Sequence, residues 1–309
     1  MLRTPLLRAI RFGIAPIVIA ALAAATSLTG PDKPQIVEAG GPPCSQPPCG
    51  TTPPGQDEEH TGPLTANEQA RFNRVMEQIT PLGDISEHQD ELADLGLYIV
   101  SDVNDVQPVS SVADDMTLPR PQVLWDTSNQ RYYAYASYEW NTGNPDRSEW
   151  HYYDIGSFSS SCIDTPCDIG GADGFGMRFS RNMQNVQVSA IFCRRGDTSR
   201  SYARFNCTTP INPEDHSSAG VSWRKQDKIY KTVTKPDNNM FQASTSMVIK
   251  RPACGAPLQI YSRYGHSWSG TAPTGFSVGV DSFGLSWSNS NNHWAASSQS
   301  GTWDIWDPC

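Results

Sequence analysis

The spacing of apolar residues predicts two short helices before a long β region. Thr65 and Glu68 have the spacing of a capping box, and apolar residues follow at intervals of three and four. Pro81 and Gly83 are expected to end this helix. A second short helix is predicted over residues 86–95. The apolar positions of the first helix are Phe72, Val75, Met76 and Ile79.

From residue 97 onward, short runs of β-branched and aromatic residues are separated by clusters of Asn, Asp, Gly and Pro. Many short strands without alternating helices indicate a sandwich or a barrel. We therefore predict a mainly β fold: a disulfide-stabilised, jelly-roll-like antiparallel β-sandwich, preceded by one or two short α-helices. The predicted strands are Leu97–Val100, Val123–Trp125, Tyr132–Trp140, Trp150–Ile155, Val186–Phe192, Met247–Ile249, Phe276–Val280 and Phe283–Trp287.

Three other segments of the β region also have readable patterns. The glycine-rich stretch 168–176 is interpreted as a flexible turn or a strand bulge, and 223–231 as a polar strand. A two-residue turn at 281–282 predicts a hairpin that pairs Val280 with Phe283. The apolar side chains of this hairpin would share one face, which we expect to pack closely on a neighbouring sheet.

The first residues have the composition of a secretory signal peptide. Three arginines precede the apolar run Phe12–Leu22, and Ala-Leu-Ala and Ala-Ala-Ala cleavage sites follow. The run is shorter than the roughly 20 residues that span a bilayer, so we predict an exported protein without stable membrane insertion. The expected organisation is a signal peptide over 1–25, a Pro/Gly-rich, disordered linker over 26–63, a helical segment over 64–96 and a β-sandwich domain over 97–309.

Charge narrows the range of partners. The chain of 309 residues has 23 Lys+Arg and 32 Asp+Glu, a formal net charge of −9, and this argues against nucleic-acid binding. Residues 26–115 contain 16 acidic and 3 basic residues, whereas 116–309 contain 16 acidic and 17 basic ones. The β region is therefore nearly neutral, and aromatic contact is a better guide to its ligand than charge.

Eight cysteines in an exported chain indicate disulfide bonds. Sequence alone does not select among the pairings, but joining nearest neighbours is the simplest arrangement. A metal site would need shorter Cys spacings with histidine nearby, so we predict neither a metal nor a cofactor. The pairs expected in this way are Cys44–Cys49, Cys162–Cys167, Cys193–Cys207 and Cys254–Cys309.

The candidate site rests on a predicted hairpin of residues 132–140 and 150–155, with its turn centred on Asn144. In this register Glu139 lies opposite Glu149, Ser137 opposite His151, and Tyr135 opposite Tyr153. The alternate face, with Ala134, Ala136, Tyr138 and Trp140, is expected to lie in the core. The face predicted to carry the site consists of Tyr133, Tyr135, Ser137, Glu139, Glu149, His151 and Tyr153.

This face supports three interpretations. The first is an extracellular ligand-binding surface for a glycan or a protein, in which Tyr133, Tyr135, Ser137 and Tyr153 make the contacts. The second is a glycoside hydrolase, because paired carboxylates about 5 Å apart match a retaining mechanism, with His151 nearby. The third is an inert face in a structural or interaction protein. The ligand-binding interpretation is favoured.

Three features occur together in this chain: the signal peptide, a Pro-rich spacer in which Pro42-Pro43-Cys44 is repeated as Pro47-Pro48-Cys49, and a C-terminus rich in Ser, Asn and Trp. In this combination the chain resembles uncharacterised secreted proteins of high-GC Gram-positive, actinomycete-like bacteria. The resemblance implies an extracellular location and assigns no catalytic residue.

Overall fold

A computed structural model provides the three-dimensional structure of the chain. Every described residue belongs to one compact unit, within residues 46–309. The predicted signal peptide and nearly all of the predicted linker lie outside the described residues. The structure describes residues 62–102, 111–113, 116–140, 167–183, 185–194, 206–208, 212–231, 236–238, 240–249, 257–267, 271, 273–280, 282–290, 293–298 and 300–303.

The described residues form two α-helices, two 3₁₀ turns and a series of short strands. The helices are α1 (Ala66–Ile79) and α2 (Gln89–Asp94), and the 3₁₀ turns are Thr80–Leu82 and Ile85–Glu87. The strands are β1 (Leu97–Ile99), β2 (Ser111–Ala113), β3 (Met116–Leu118), β4 (Gln122–Asp126), β5 (Arg131–Trp140), β6 (Cys167–Phe179), β7 (Asn185–Arg194), β8 (Asn206–Thr208), β9 (Asp215–Ser217), β10 (Gly220–Lys231), β11 (Pro236–Asn238), β12 (Gln242–Ile249), β13 (Leu258–Ser267), β14 (Pro273–Val278), β15 (Phe283–Trp287), β16 (His293–Ser297) and β17 (Gly301–Trp303).

Helix α1 begins and ends where the sequence predicts. The Thr65 hydroxyl accepts from the backbone N–H of Glu68, and the Glu68 carboxylate accepts from that of Thr65 at 2.7 Å. Gly83 follows the 3₁₀ turn with φ 71°, a left-handed conformation that glycine adopts without strain. The predicted second helix is confirmed as the shorter α2, preceded by a 3₁₀ turn. No helix among the residues described is long and apolar enough to cross a membrane.

The strands form two large antiparallel sheets, which confirms the predicted mainly β fold. Sheet A has the order β1-β4-β5-β12-β7-β8, with β2 and β3 joined beside β5. Sheet B has the order β11-β10-β6-β13-β16, with β9 on β10 and β17 on β13. Residues of both sheets share one buried core, including Tyr138 and Met247 of sheet A and Phe175 and Tyr264 of sheet B. The predicted inward face of β5, with Ala134, Ala136, Tyr138 and Trp140, is confirmed.

Helix α1 covers the other face of sheet A and forms a second core. All four predicted apolar positions of α1 are buried there, against tyrosines of β5. Phe72 meets the ring of Tyr133 edge-on at 5.0 Å between centroids. The N-terminal helical segment is therefore packed on sheet A. This contact determines whether the predicted site on β5 is open to solvent.

Strand β6 corrects one prediction. The stretch 168–176, interpreted as a flexible turn or bulge, belongs to a strand of 13 residues. Two of its glycines, Gly174 and Gly176, lie on the outer face of sheet B, where the β14–β15 hairpin packs closely. A Cβ atom at Gly174 would lie 2.8 Å from the Phe276 ring, and one at Gly176 would lie 3.1 Å from the Phe283 ring. The glycines therefore allow close packing between two β layers.

The predicted C-terminal hairpin exists, with a changed register. Phe283 pairs with Val278 rather than Val280, and Leu285 pairs with Phe276. Reciprocal backbone hydrogen bonds between Gly279 and Ser282 close the turn one residue earlier than predicted. This shift moves the pairing by two residues, and an even shift leaves the apolar side chains on the same face. The predicted packing of this hairpin on a neighbouring sheet is confirmed.

One predicted disulfide bond is confirmed. Cys193 in β7 is bonded to Cys207 in β8, its direct cross-strand neighbour. Cys167 begins β6, and its predicted partner lies outside the described part of the chain. The three other predicted pairs, Cys44–Cys49, Cys162–Cys167 and Cys254–Cys309, stay predictions, because at least one cysteine of each is outside the described residues.

Candidate functional site

The structure brings Tyr133, Tyr135 and Ser137 together on one face of β5 but does not leave them open to solvent. Their exposed fractions are 0%, 1% and 3%, because α1 and the 3₁₀ turn after it lie on this face. The Ser137 hydroxyl donates to the Gly83 carbonyl at 2.8 Å. Gln242 on the neighbouring strand donates to the Thr80 carbonyl, also at 2.8 Å. The predicted ligand-binding face is occupied by the chain's own N-terminal segment.

The predicted pairing of Glu139 with Glu149 does not occur in sheet A. A strand has two edges, and at Glu139 both are occupied: one by Gln242 of β12 and the other by Thr117 of β3. Tyr135 is likewise flanked by Ser246 and Gln122. The cross-strand carboxylate pair from which the hydrolase interpretation was argued is therefore excluded by the pairing of β5. The residues predicted to lie opposite β5, Glu149, His151 and Tyr153, are outside the described residues.

An aromatic row lies on the opposite face of sheet A, at the end of the sheet where β5 begins. Tyr98 of β1 pairs with Trp125 of β4, and Trp125 pairs with Tyr132 of β5, so the three side chains lie side by side across three strands. The rings of Trp125 and Tyr132 are 4.7 Å apart between centroids. Tyr98 is 52% exposed, and the other two are half-buried. The exposure of Tyr98 sets this row apart from the buried tyrosines under α1, whereas Tyr132 also packs against the core between the two sheets.

The spacing of the aromatic row follows from sheet geometry. Neighbouring strands lie about 4.8 Å apart, so Tyr98 and Tyr132 are separated by roughly 10 Å with Trp125 between them. Two exposed residues, Thr127 and Ser128, follow Trp125 in the turn to β5 and carry hydroxyl groups. Flat apolar rings beside hydroxyls are the surface elements that a sugar ring, with its C–H face and hydroxyl edge, can contact.

A second group of polar residues is buried near the other end of β5, where Trp140 lies. Asp173 of β6 accepts hydrogen bonds from the Tyr264 hydroxyl and from the Ser267 backbone N–H, the latter at 3.1 Å. His266 Nδ1 lies 3.0 and 3.1 Å from the two carboxylate oxygens of Asp173. Asp227 of β10 completes the group, which we call the Asp–His cluster: Asp173, Asp227 and His266.

The surroundings of the Asp–His cluster are aromatic and largely dry. Asp173 is 1% exposed, Asp227 0% and His266 5%. Trp140 meets His266 edge-on at 5.1 Å, and the partly exposed Trp294 lies 5.5 Å from the same ring. Burial raises the pKa of Tyr264, and the charge of Asp173 raises it further, so its phenol stays protonated and donates.

Sequence reasoning missed both groups of residues for identifiable reasons. Tyr98, Trp125 and Tyr132 all lie in predicted strands, but their alignment depends on which strands are neighbours. Asp173 was missed because its segment was interpreted as a turn. Strand β13, which carries His266, could have been predicted from one pattern in the sequence, the alternation of apolar residues before His266.

No protein-family profile matches this chain, and no curated protein matches it in sequence.

Proposed function

We propose that this protein is an exported, ligand-binding β-sandwich that binds a glycan through the aromatic row. The observation that carries the proposal is the alignment of Tyr98, Trp125 and Tyr132 across three neighbouring strands, with Tyr98 52% exposed. Aromatic rings attract the weakly positive C–H groups of a sugar face through their negative π surface. The near-neutral β region, which holds 16 acidic and 17 basic residues over 116–309, suits an uncharged ligand.

Two observations support export. The N-terminal sequence predicts a signal peptide, and the bond between Cys193 and Cys207 is of a kind that persists in oxidising compartments. The ligand we propose is therefore an extracellular glycan, a polymer to which an exported protein has access.

A pull-down assay tests the proposal by measuring how much of the purified protein leaves solution with an insoluble polysaccharide. The panel consists of cellulose, chitin, xylan and peptidoglycan, and the test variant is Tyr98→Ala with Trp125→Ala. If each ring contributes about 1 kcal/mol, the double variant loses about 2 kcal/mol, roughly a 30-fold rise in Kd. Tyr261→Ala is the matched control, because Tyr261 is a half-exposed tyrosine on the outer face of sheet B.

The proposal fails if the wild-type protein binds none of the four polysaccharides, or if the double variant binds as tightly as the wild type. The first result would favour the interpretation as a protein-binding or structural module. The second would place glycan binding elsewhere on the molecule. Near-ultraviolet circular dichroism of the double variant verifies that its core is intact.

A further inference from the structure

The Asp–His cluster gathers three metal-ligating side chains from three neighbouring strands. Asp173, Asp227 and His266 come from β6, β10 and β13, which are adjacent in sheet B. Each offers one donor atom, and these atoms lie within 4.8 Å of one another. Strand alternation directs the three side chains inward, because Phe175, Trp223 and Tyr264 on the same strands also face the core. The placement is therefore built into the sheet.

Electrostatics favours a cation at this position. Two ionised carboxylates with oxygens less than 5 Å apart repel each other, and the repulsion is strong where water is excluded. The described groups near them include the His266 ring, the hydroxyls of Tyr264 and Tyr138 and the Ser267 backbone N–H, together with the Lys225 ammonium on the same strand as Asp227. A divalent ion between the three donors would offset both negative charges directly.

The donor set indicates the class of ion. One imidazole nitrogen and two carboxylate oxygens are a mixed set typical of Zn²⁺ or Mn²⁺, whereas Ca²⁺ takes six to eight oxygens. His266 Nδ1 lies 3.0 Å from Asp173 Oδ1, close to the roughly 3.4 Å between ligands of a tetrahedral zinc site. The Tyr264 hydroxyl and the Ser267 N–H would hold the Asp173 carboxylate in place as outer partners.

We propose that Asp173, Asp227 and His266 form a binding site for one divalent transition-metal ion of the Zn²⁺ or Mn²⁺ class. His266 binds the ion through Nδ1, and each aspartate supplies one carboxylate oxygen. The site lies beside Trp140, eight residues along β5 from Tyr132, or about 26 Å at 3.3 Å per residue. It is separate from the aromatic row, so its failure and that of the glycan proposal are distinguishable.

Isothermal titration calorimetry on the EDTA-treated full chain tests the site, with Zn²⁺, Mn²⁺, Mg²⁺ and Ca²⁺ as probes. We expect one equivalent of Zn²⁺ or Mn²⁺ to bind, and the thermal unfolding midpoint to rise with that ion. Asp227→Asn keeps the shape of the side chain and should weaken binding at least 100-fold, as should His266→Gln. His216→Gln, which changes an exposed histidine of β9 in the same sheet, should bind as the wild type does.

A measurement on the wild type alone guards against variants that do not fold. Co²⁺ bound by one nitrogen and two oxygens gives a visible d–d absorption band that Zn²⁺ abolishes by displacement. The proposal is overturned if the EDTA-treated wild type binds neither Zn²⁺ nor Mn²⁺, or if it binds only Ca²⁺. Unchanged affinity in folded Asp227→Asn and His266→Gln proteins would also overturn it, because the ion would then occupy another site.

Discussion

Besides its apolar contacts, helix α1 is held on sheet A by a buried carboxylate, that of Asp126. Asp126, at the end of β4, is fully buried and accepts three kinds of hydrogen bond. Arg71 of α1 donates to it from Nε at 3.1 Å and from Nη2 at 2.8 Å. The Tyr133 hydroxyl donates to it at 2.8 Å, and the backbone N–H groups of Ser128 and Asn129 donate at 2.9 and 3.2 Å. The only charged donor among these is the guanidinium of the helix.

We predict that Arg71→Ala destabilises the protein by about 2–3 kcal/mol. Removing one partner of a buried ion pair costs about 3–5 kcal/mol, because the other charge stays buried without compensation. Two features reduce this cost here. Arg71 is 23% exposed, so water reaches part of the space it leaves, and Asp126 keeps its three neutral donors. The lost bond from Arg71 to the Leu95 carbonyl, at 2.6 Å, adds to the effect.

Urea denaturation followed by tryptophan fluorescence measures the change in the free energy of unfolding. The matched control is Arg74→Ala, which removes an exposed arginine one turn further along α1 and should change stability by no more than about 0.5 kcal/mol. If α1 separates from the sheet before the sandwich unfolds, its amides should exchange hydrogen roughly 30- to 150-fold faster. Equal stability of the Arg71→Ala and Arg74→Ala proteins would refute the reasoning.

Two further perturbations test the packing of the β layers. Gly174→Ala should lower the free energy of unfolding by about 1–3 kcal/mol, because the new methyl group would lie 2.8 Å from the Phe276 ring. In the same thermal unfolding assay, the control Gly275→Ala should leave stability unchanged, because a Cβ atom at Gly275 would have no atom within 4 Å. Replacing Cys193 and Cys207 together by serine should lower the free energy of unfolding by about 3 kcal/mol, since the bond closes a loop of 14 residues. Wild-type stability that is unchanged by a reducing agent would contradict the second prediction.

Local patterns were sufficient for helix α1 and for about half of the described strands. The capping box at Thr65 and the spacing of the four apolar residues define α1 without any tertiary information, and the structure has the same N-terminus. Strand β5 was predicted over nearly its full length, and its inward face was assigned correctly because alternation is a property of a single strand. Strand β6 was not found, since glycine has low β-propensity and its role depends on the hairpin above it.

Pairing could not be predicted in the same way. The assumption that β5 pairs with the next aromatic segment is reasonable for a hairpin, yet β5 pairs with β12, more than 100 residues later, and with β3 and β4 before it. The residues of β5 do not specify these partners, because a strand pairs through backbone N–H and C=O groups that nearly every residue type carries. The predicted Glu139–Glu149 pair was wrong at this step, since only the assumed hairpin brought the two residues together.

Two adjacent tyrosines show how a helix determines which aromatic residues of a strand can contact a ligand. Tyr132 and Tyr133 point to opposite faces of β5 because side chains alternate along a strand. Tyr133 lies under α1 and donates to Asp126, so it contributes to helix docking. Tyr132 lies on the other face, where it extends a row that ends at the exposed Tyr98. Aromatic composition alone therefore predicts a ligand-binding strand, but α1 covers the Tyr133 face, so the proposed glycan contact uses Tyr132 and its neighbours on the other face.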